Sequence, residues 1–381
     1  LHRSAPLVPV LALTLKLIET VQANVAADSE GCAARGEEGL SLARESGVAI
    51  FDFRLMAQMA QCFLTCGDPQ LAGKYIKSME SSPAARLGWN KAALAYLKAF
   101  EALCSGKNAK ALLHAGEAVD FARAAGSFKQ IQNSLLLRAE ALIENGKFDE
   151  AREIAEGVAS ESVLGGVPFI TFAARLTLAL LHYRKKAREP MRVELRKALL
   201  LGRRHGFVNT PLWRASVMSA LLREAMVLGI ESEYAAGCVE FRGLSSSSPP
   251  EEVEDWPWAV RLRAFGPLKI ELHRKPVIFH GKVQKKPIQL LKLLVAVAPG
   301  HISDETAISS LWPDSDSCAG RQALNVTVHR LRALLEEKDA LLHEEGWLSL
   351  SPKLVWIDAA AFRKHLKKAV EFAGSGEMQI A

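Results

Sequence analysis

The chain has 381 residues, 49% of them hydrophobic, and 48 Lys and Arg stand against 42 Asp and Glu for a formal net charge of +6. That length asks for two domains, or one domain and an array, and the apolar content is too high for a disordered chain. The cysteines at 32, 62, 66, 104, 238 and 318 form no Cys-x-x-Cys pair, which excludes a zinc ribbon or a disulfide framework and fits a reducing, cytoplasmic setting.

Leu7 to Leu15 is apolar behind Arg3, but Lys16 and Glu19 interrupt the run. It reads as the first helix of an array, not as a leader or a membrane span, which needs about 20 apolar residues. The chain starts on Leu1 and not on Met, so the expectation is a piece of a longer protein. Cys62 and Cys66 are one helical turn apart without a His pair nearby, and buried thiols are expected there, not a metal.

Long Ala/Leu-rich segments with helical period follow, parted by short polar turns. Gly67-Asp68, Gly106-Lys107 and Gly146-Lys147 recur at spacings of 39 and 40, and Gly47, Gly126 and Gly206 at 79 and 80. The next turn of the first series falls near Lys186, where there is no glycine. A fixed period in this range marks a helical solenoid. Each glycine supplies the left-handed residue that ends a helix, and Pro69 and Pro190 sit in first turns, where a missing N–H costs nothing. The segment Leu135 to Ala155 carries small Ala139, Ala151 and Ala155 at positions of close helix packing. This pattern resembles tetratricopeptide-type repeats in lengthened form, over roughly residues 30–240. Within it, Arg188, Arg192 and Arg196 share one face at i, i+4 and i+8. That face is a candidate for an acidic ligand, a partner domain or DNA, with Glu189 and Glu194 interleaved and a solvated surface as the simpler reading.

Residues 243–258, rich in Ser, Pro and acidic groups, read as a linker, with Trp256 and Trp258 pinning its far end to a neighbouring domain. The pattern then changes. Val260 to Phe265, Leu268 to Leu272 and Val277 to Phe279 read as short strands. A helix spans Pro287 to Ala298, with Ile288, Leu291 and Val295 on one side. Ser303 caps a second helix with Asp304 and Glu305 in its first turn, and Trp312-Pro313 closes it.

The third helix, Arg321 to Leu335, has two faces. Leu324, Val328, Leu331 and Leu335 fall at i, i+4, i+7 and i+11 and make an apolar stripe. Gln322, Val326, His329 and Arg330 point the other way, with Arg321, Asn325 and Arg332 on the flank. Such a surface suits base edges: Arg takes guanine O6 and N7 together, Asn and Gln match adenine, and Val touches a thymine methyl. Residues 259–381 hold 18 Lys and Arg against 13 Asp and Glu, so most of the positive excess lies with this helix, where phosphate attraction would place it. Lys285 and Lys286 begin the first helix and are candidates for phosphate. Strands at Leu341 to His343, Leu348 to Leu350 and Val355 to Ile357 complete the series, with Gly346 in a turn.

Strands, three helices and a hairpin give the order of a winged helix with an N-terminal sheet. The wording closely resembles the DNA-binding domain of the antibiotic regulatory (SARP-like) activators, akin to the effector domain of response regulators. The matching residues are Leu262, Phe265 and Gly266; Pro299-Gly300 with Ile302-Ser303; Leu311-Trp312-Pro313-Asp314; Arg321, Ala323, Leu324, Val326, Val328, Arg330, Leu331 and Arg332; Gly346-Trp347 with Leu350; and Asp358 with Phe362. They span about 100 residues in the right order. The chain departs in having Gly346-Trp347 where that family has a Gly-Tyr-type pair, and in having only a short tail where an all-helical activator domain commonly follows.

The resemblance implies that the third helix enters the major groove and the wing approaches the minor groove. Val326 and Arg330 then contact bases, and Arg321, Thr327, His329 and Arg332 grip phosphates. The expected fold class is mainly α: a tetratricopeptide-like helical solenoid (1–242), a linker (243–258), a small α+β winged-helix domain (259–365) and a tail (366–381). A plan of sensor repeats followed by a DNA-binding domain is similar to that of maltose-regulator-like transcription activators, whose terminal domain is a different helix-turn-helix. The expected partners are double-stranded DNA and RNA polymerase, with a small-molecule inducer or a protein on the repeats. The alternative is an interaction scaffold without sequence-specific DNA binding. No phosphate-binding loop, metalloprotease helix, nucleophile elbow or paired-carboxylate set stands in the sequence, so neither catalytic residues, a cofactor, a metal nor a membrane is expected.

Overall fold

A computed structural model describes residues 8–244, 249–278 and 285–374. The chain divides into two compact units, Leu1–Leu244 and Ser245–Ala381. The protein is mainly helical, with a small C-terminal region of mixed sheets.

The first unit consists of α1 (Pro9–Val25), α2 (Ser29–Ser46), α3 (Asp52–Cys66), α4 (Pro69–Ser81), α5 (Gly88–Cys104), α6 (Asn108–Ala125), α7 (Phe128–Glu144), α8 (Phe148–Leu164), α9 (Pro168–Arg184), α10 (Arg188–His205), α11 (Ala215–Val227) and α12 (Ser232–Phe241). The ends of these helices are set locally. Asp68 caps α4 by accepting from Leu71 N at 2.9 Å, and Pro69 follows at the first helical position. Its missing N–H would have had no helical partner there. Left-handed residues then recur every 20 positions from Gly106 through Gly126, Gly146, Gly166 and Lys186 to Gly206. Lys186 takes φ +57° without being glycine, so the turn expected near 186 is present and carries backbone strain that glycine would avoid.

The odd-numbered helices α1, α3, α5, α7 and α9 pack beside one another, and each even-numbered helix packs on its chain neighbours. Small residues let these rows approach closely: Ala139, Ala151 and Ala155 are each fully buried. Between α10 and α11 the extended segment 207–214 runs back across the odd-numbered row. Asn209 donates to Asn24 O at 2.8 Å, and the Tyr96 hydroxyl donates to Pro211 O at 2.8 Å. Trp213 is buried under the Arg242 guanidinium, 4.5 Å from its ring centre. Arg214 is buried on two glutamates: it donates to Glu140 at 3.1 and 2.9 Å and to Glu144 at 3.0 Å. Burial pushes the Glu140 carboxyl above its ordinary range, and Arg214 opposes that push.

In the second unit, residues 249–258 pack against the domain on their C-terminal side. Trp256 and Trp258 are buried, and the Trp258 indole donates to Val253 O at 2.9 Å. The acidic stretch makes ion pairs there, Glu254 with Arg263 and Glu251 with Lys364. Strands β1 (Val260–Arg263), β2 (Lys269–Leu272) and β3 (Lys275–Pro276) precede α13 (Lys285–Val297), β4 (His301–Ser303), α14 (Asp304–Leu311) and α15 (Ser317–Leu335). Strands β5 (Leu341–Glu344), β6 (Trp347–Leu350) and β7 (Val355–Ile357) and helix α16 (Asp358–Gly374) complete it. One sheet has the order β3-β2-β1-β7, antiparallel except for the parallel β1–β7 pair, and the other has the order β4-β6-β5.

Several elements differ from the sequence reading. The third strand is Lys275–Pro276, so Val277 and Ile278 follow it; Phe279 lies outside the described residues. Strand β4, which the sequence reading did not place, lies before α14 because Ile302 pairs with Leu348 far along the chain. Helix α15 starts at Ser317 and not at Arg321, since Asp316 accepts from Cys318 N at 3.0 Å and Ala319 N at 2.8 Å. Helix α16 carries regular structure through residues 366–374, expected as tail.

Candidate nucleic-acid interface

Helix α15 is held from beneath by its apolar stripe. Leu324, Leu331 and Leu335 are fully buried and Val328 nearly so, in one core with Leu291 and Leu294 of α13, Leu262 of β1 and Leu348 of β6. At about 25 cal/mol per Å² of apolar surface removed from water, each such leucine contributes roughly 2 kcal/mol or more to fixing the helix. The approach of α14 is close. A Cβ on Gly320 would lie 2.5 Å from Ile308 Cγ2, so only glycine fits where the two helices meet. Sequence reasoning did not single out Gly320. A glycine near the start of a helix gives no periodic signal, and its reason lies in packing across elements.

The opposite face of α15 is open. Arg321, Gln322, Asn325, Val326, His329 and Arg330 are all exposed, Val326 by 49%. None of the five polar side chains has a hydrogen bond or ion pair among the described residues. The helix contains no Asp or Glu over its 19 residues, so nothing on it neutralises Arg321, Arg330 and Arg332. The structure thus brings six of the expected residues to one surface with their donors uncommitted.

Two neighbours on the same helix are used internally. Thr327 is 4% exposed, and its hydroxyl donates to Ala323 O at 2.8 Å. The expectation that it grips phosphate is corrected: the 100° step of the helix puts 327 next to Val328 and Leu331, facing the core. Arg332 is half-buried, and its guanidinium donates to Leu341 O at 3.3 and 3.1 Å. These bonds tie α15 to the first residue of β5.

The two lysines of α13 separate in the same way. Lys285 is exposed, whereas Lys286 donates to Leu311 O and lies over the Trp312 ring at 5.4 Å. Lys286 therefore closes the C-terminal end of α14, where a cation meets the helix dipole favourably. Between β5 and β6, Glu345 and Gly346 both have positive φ, +49° and +79°. That is the two-residue turn that matches the twist of paired strands. Asp304 N donates to Gly346 O at 2.9 Å, and His343 Nε2 lies 2.9 Å from Asp304, so the hairpin is fastened to the start of α14. Trp347 packs edge-on against His301 at 4.5 Å and stays half exposed. The hairpin tip carries Glu344 and Glu345, both exposed. Asp358 accepts from Ala264 N at 2.9 Å and from Phe265 N at 3.0 Å while starting α16, a role the sequence could hint at only by matching Asp358 to a pattern.

The basic face on α10 is partly neutralised. Arg192 lies 3.7 Å from Glu189, and the buried Glu194 pairs with Arg175 and Lys197 at 2.9 Å each. Arg188 and Arg196 are exposed. Contact with Cys32 and burial raise the Cys62 thiol to about 12, and contact with Cys62 and burial raise Cys66 as well. Among the described residues no group of three or more His, Cys, Asp or Glu is arranged to hold a metal ion, and no helix is long and apolar enough to cross a membrane. No protein-family model matches the chain, and no curated protein matches it.

Proposed function

We propose that this chain is part of a bacterial transcription regulator. Its C-terminal unit is read as a winged helix that binds duplex DNA through α15, and its helical unit as a tetratricopeptide-like solenoid serving as a sensor or protein-interaction domain. The observation that carries the reading is the open face of α15. It is a helix clamped by buried leucines, free of acidic residues, with Arg321, Gln322, Asn325, Val326, His329 and Arg330 exposed and uncommitted. A surface helix selected only for solubility would interleave acids with its arginines. This one offers a base-reading set and a positive field toward phosphate.

In this reading Arg330 and Val326 face base edges, and Arg321 and His329 take backbone phosphates, with Lys285 a further phosphate contact. The acidic hairpin tip argues for a refinement: Glu344 and Glu345 would repel phosphate, so the hairpin meets DNA through Trp347 or stands clear of the backbone. RNA polymerase is the expected further partner of an activator of this plan.

The second reading is an interaction scaffold. It is favoured by an exposed apolar row on α16, where Phe362, Leu366 and Val370 lie at i, i+4 and i+8, with Phe265 packed edge-on to Phe362. Fluorescence anisotropy of the full chain on random-sequence duplex DNA separates the two. The two cationic phosphate contacts, Arg321 and Lys285, predict a log–log salt slope of about −1.8. Absence of salt-sensitive binding would leave the scaffold.

A further inference from the structure

The helical unit contains a cavity of about 250 Å³ between the odd-numbered helices and the segment 207–214. Most of its lining is apolar. Trp89, Tyr96 and Phe169 supply aromatic rings, and Asn209, Thr210 and Pro211 form one wall. Six side-chain amides line it, Asn24, Gln58, Gln61, Gln130, Asn133 and Asn209, beside the hydroxyls of Tyr96, Ser127 and Thr210. Lys129, exposed, is its single charged residue.

The amides fall into two groups. Some hold the structure together. Asn24 donates to Gln58 at 3.0 Å, Gln61 to Pro211 O at 3.4 Å, and Asn209 to Asn24 O at 2.8 Å. Others are left over. Gln130 donates its amide nitrogen to Trp89 O at 3.2 Å, which fixes which end is nitrogen, because a carbonyl can only accept. Its Oε1 is then a buried acceptor with no partner. Asn133, half-buried one turn on, has no partner among the described residues. A buried unpaired acceptor costs about 1–3 kcal/mol, and an apolar cavity with a few unpaired polar groups is the usual form of a small-molecule site.

We infer that this cavity is a binding site for a small, uncharged, planar ring compound bearing an N–H or O–H donor. Each part of that description comes from the lining. The rings of Trp89, Tyr96 and Phe169 favour a flat partner through stacked or edge-on contact. The absence of carboxylates from the lining leaves a buried cation without compensation. The unpaired Gln130 Oε1 asks for a donor. The volume admits one or two fused rings. Such a ligand would touch segment 207–214, whose Arg214 is locked to Glu140 and Glu144, so occupancy bears on the element that leads into α11 and α12. The inference rests on the sensor role proposed for the helical unit and gives that role a site and a ligand class.

The test uses indole and benzofuran on the full chain, without DNA, followed by saturation-transfer NMR. The two rings are nearly isosteric and differ in one N–H. Indole is expected to bind about fivefold more tightly than benzofuran, the factor one net hydrogen bond supplies. Gln130→Met should abolish that preference. Ala93→Phe, at a half-buried position on the cavity wall, should reduce indole binding at least about tenfold by filling the space; if a melting curve shows it unfolded, Asn133→Phe replaces it. Equal binding of the two rings, indole binding unchanged by the filling variant, or no indole binding at about 5 mM, weaker than ordinary millimolar fragment affinity, would overturn the inference. DNA binding by the other unit is measured separately, so failure here leaves the DNA-binding proposal standing.

Discussion

Arg330→Ala and Arg332→Ala are neighbouring arginine deletions on one helix with opposite expected outcomes. Arg330 is exposed, has no partner among the described residues and sits on a helix without acids. Removing it takes nothing from the fold, so the change in unfolding free energy should stay within about 0.5 kcal/mol. A guanidinium that reads guanine in the groove contributes about 1–3 kcal/mol. That corresponds to a loss of about 5- to 150-fold in specific affinity, with relaxed preference at one base position. Arg332 reverses this pattern. Its two hydrogen bonds reach Leu341 O, and Leu341 is buried at the head of β5. Hydrogen bonds from a charged group to a buried carbonyl are worth about 1.5–3 kcal/mol, and Arg332→Ala should lose that much stability. Urea unfolding of both variants, with anisotropy on a selected duplex at one fixed salt concentration, reads out both quantities. The reasoning is refuted if Arg330→Ala keeps affinity and base preference within about twofold, or if Arg332→Ala leaves the unfolding midpoint where it was.

Gly320→Ala should destabilise the C-terminal unit by about 1–3 kcal/mol through overpacking, because the new methyl would meet Ile308 Cγ2 at 2.5 Å; combined with Ile308→Ala, which removes that carbon, it should lose less than the sum of the two single losses in the same melts. Arg214→Met strands the Glu140 carboxylate, 6% exposed, with only the Thr177 hydroxyl at 3.4 Å. A loss of about 3–5 kcal/mol is expected, and the double variant with Glu140→Gln should be more stable than Arg214→Met alone. Asp358→Ala removes the acceptor of Ala264 N and Phe265 N and should lower the thermal midpoint. Asp358→Asn, which keeps one acceptor, should lie between, as judged by circular dichroism.

The two faces of α15 were legible in the sequence because a helix buried on one side must repeat its leucines near every 3.6 residues. The four stripe residues assigned from that spacing are all buried. What escaped the sequence was set by partners distant along the chain. Nothing in residues 317–320 repeats, so the first turn of α15 is visible only through the Asp316 cap. Strand β4 is three residues long and exists because β6 lies beside it, a non-local pairing that local propensity does not register. Thr327 and Arg332 looked like surface polar groups. They turn inward because a core and a strand carbonyl stand within reach. The helical unit shows the same division. The glycines at 106, 126, 146 and 206 marked its turns, yet the 20-residue step from one helix to the next emerges only with Gly166 and the left-handed Lys186. The segment 207–214 gave no sequence signal for its path across the odd-numbered helices, since Asn209 and Pro211 bond to residues more than a hundred positions away.

The central claim is that the open face of α15 reads duplex DNA. Selection of bound duplexes from a random pool by the full chain, run beside the double variant Val326→Ala with Arg330→Ala, tests it most directly. The account predicts that the unaltered chain enriches a short motif containing guanine, and that the double variant retains salt-sensitive binding but loses that motif. Enrichment of no sequence by the unaltered chain, or of the same motif by both proteins, would contradict it.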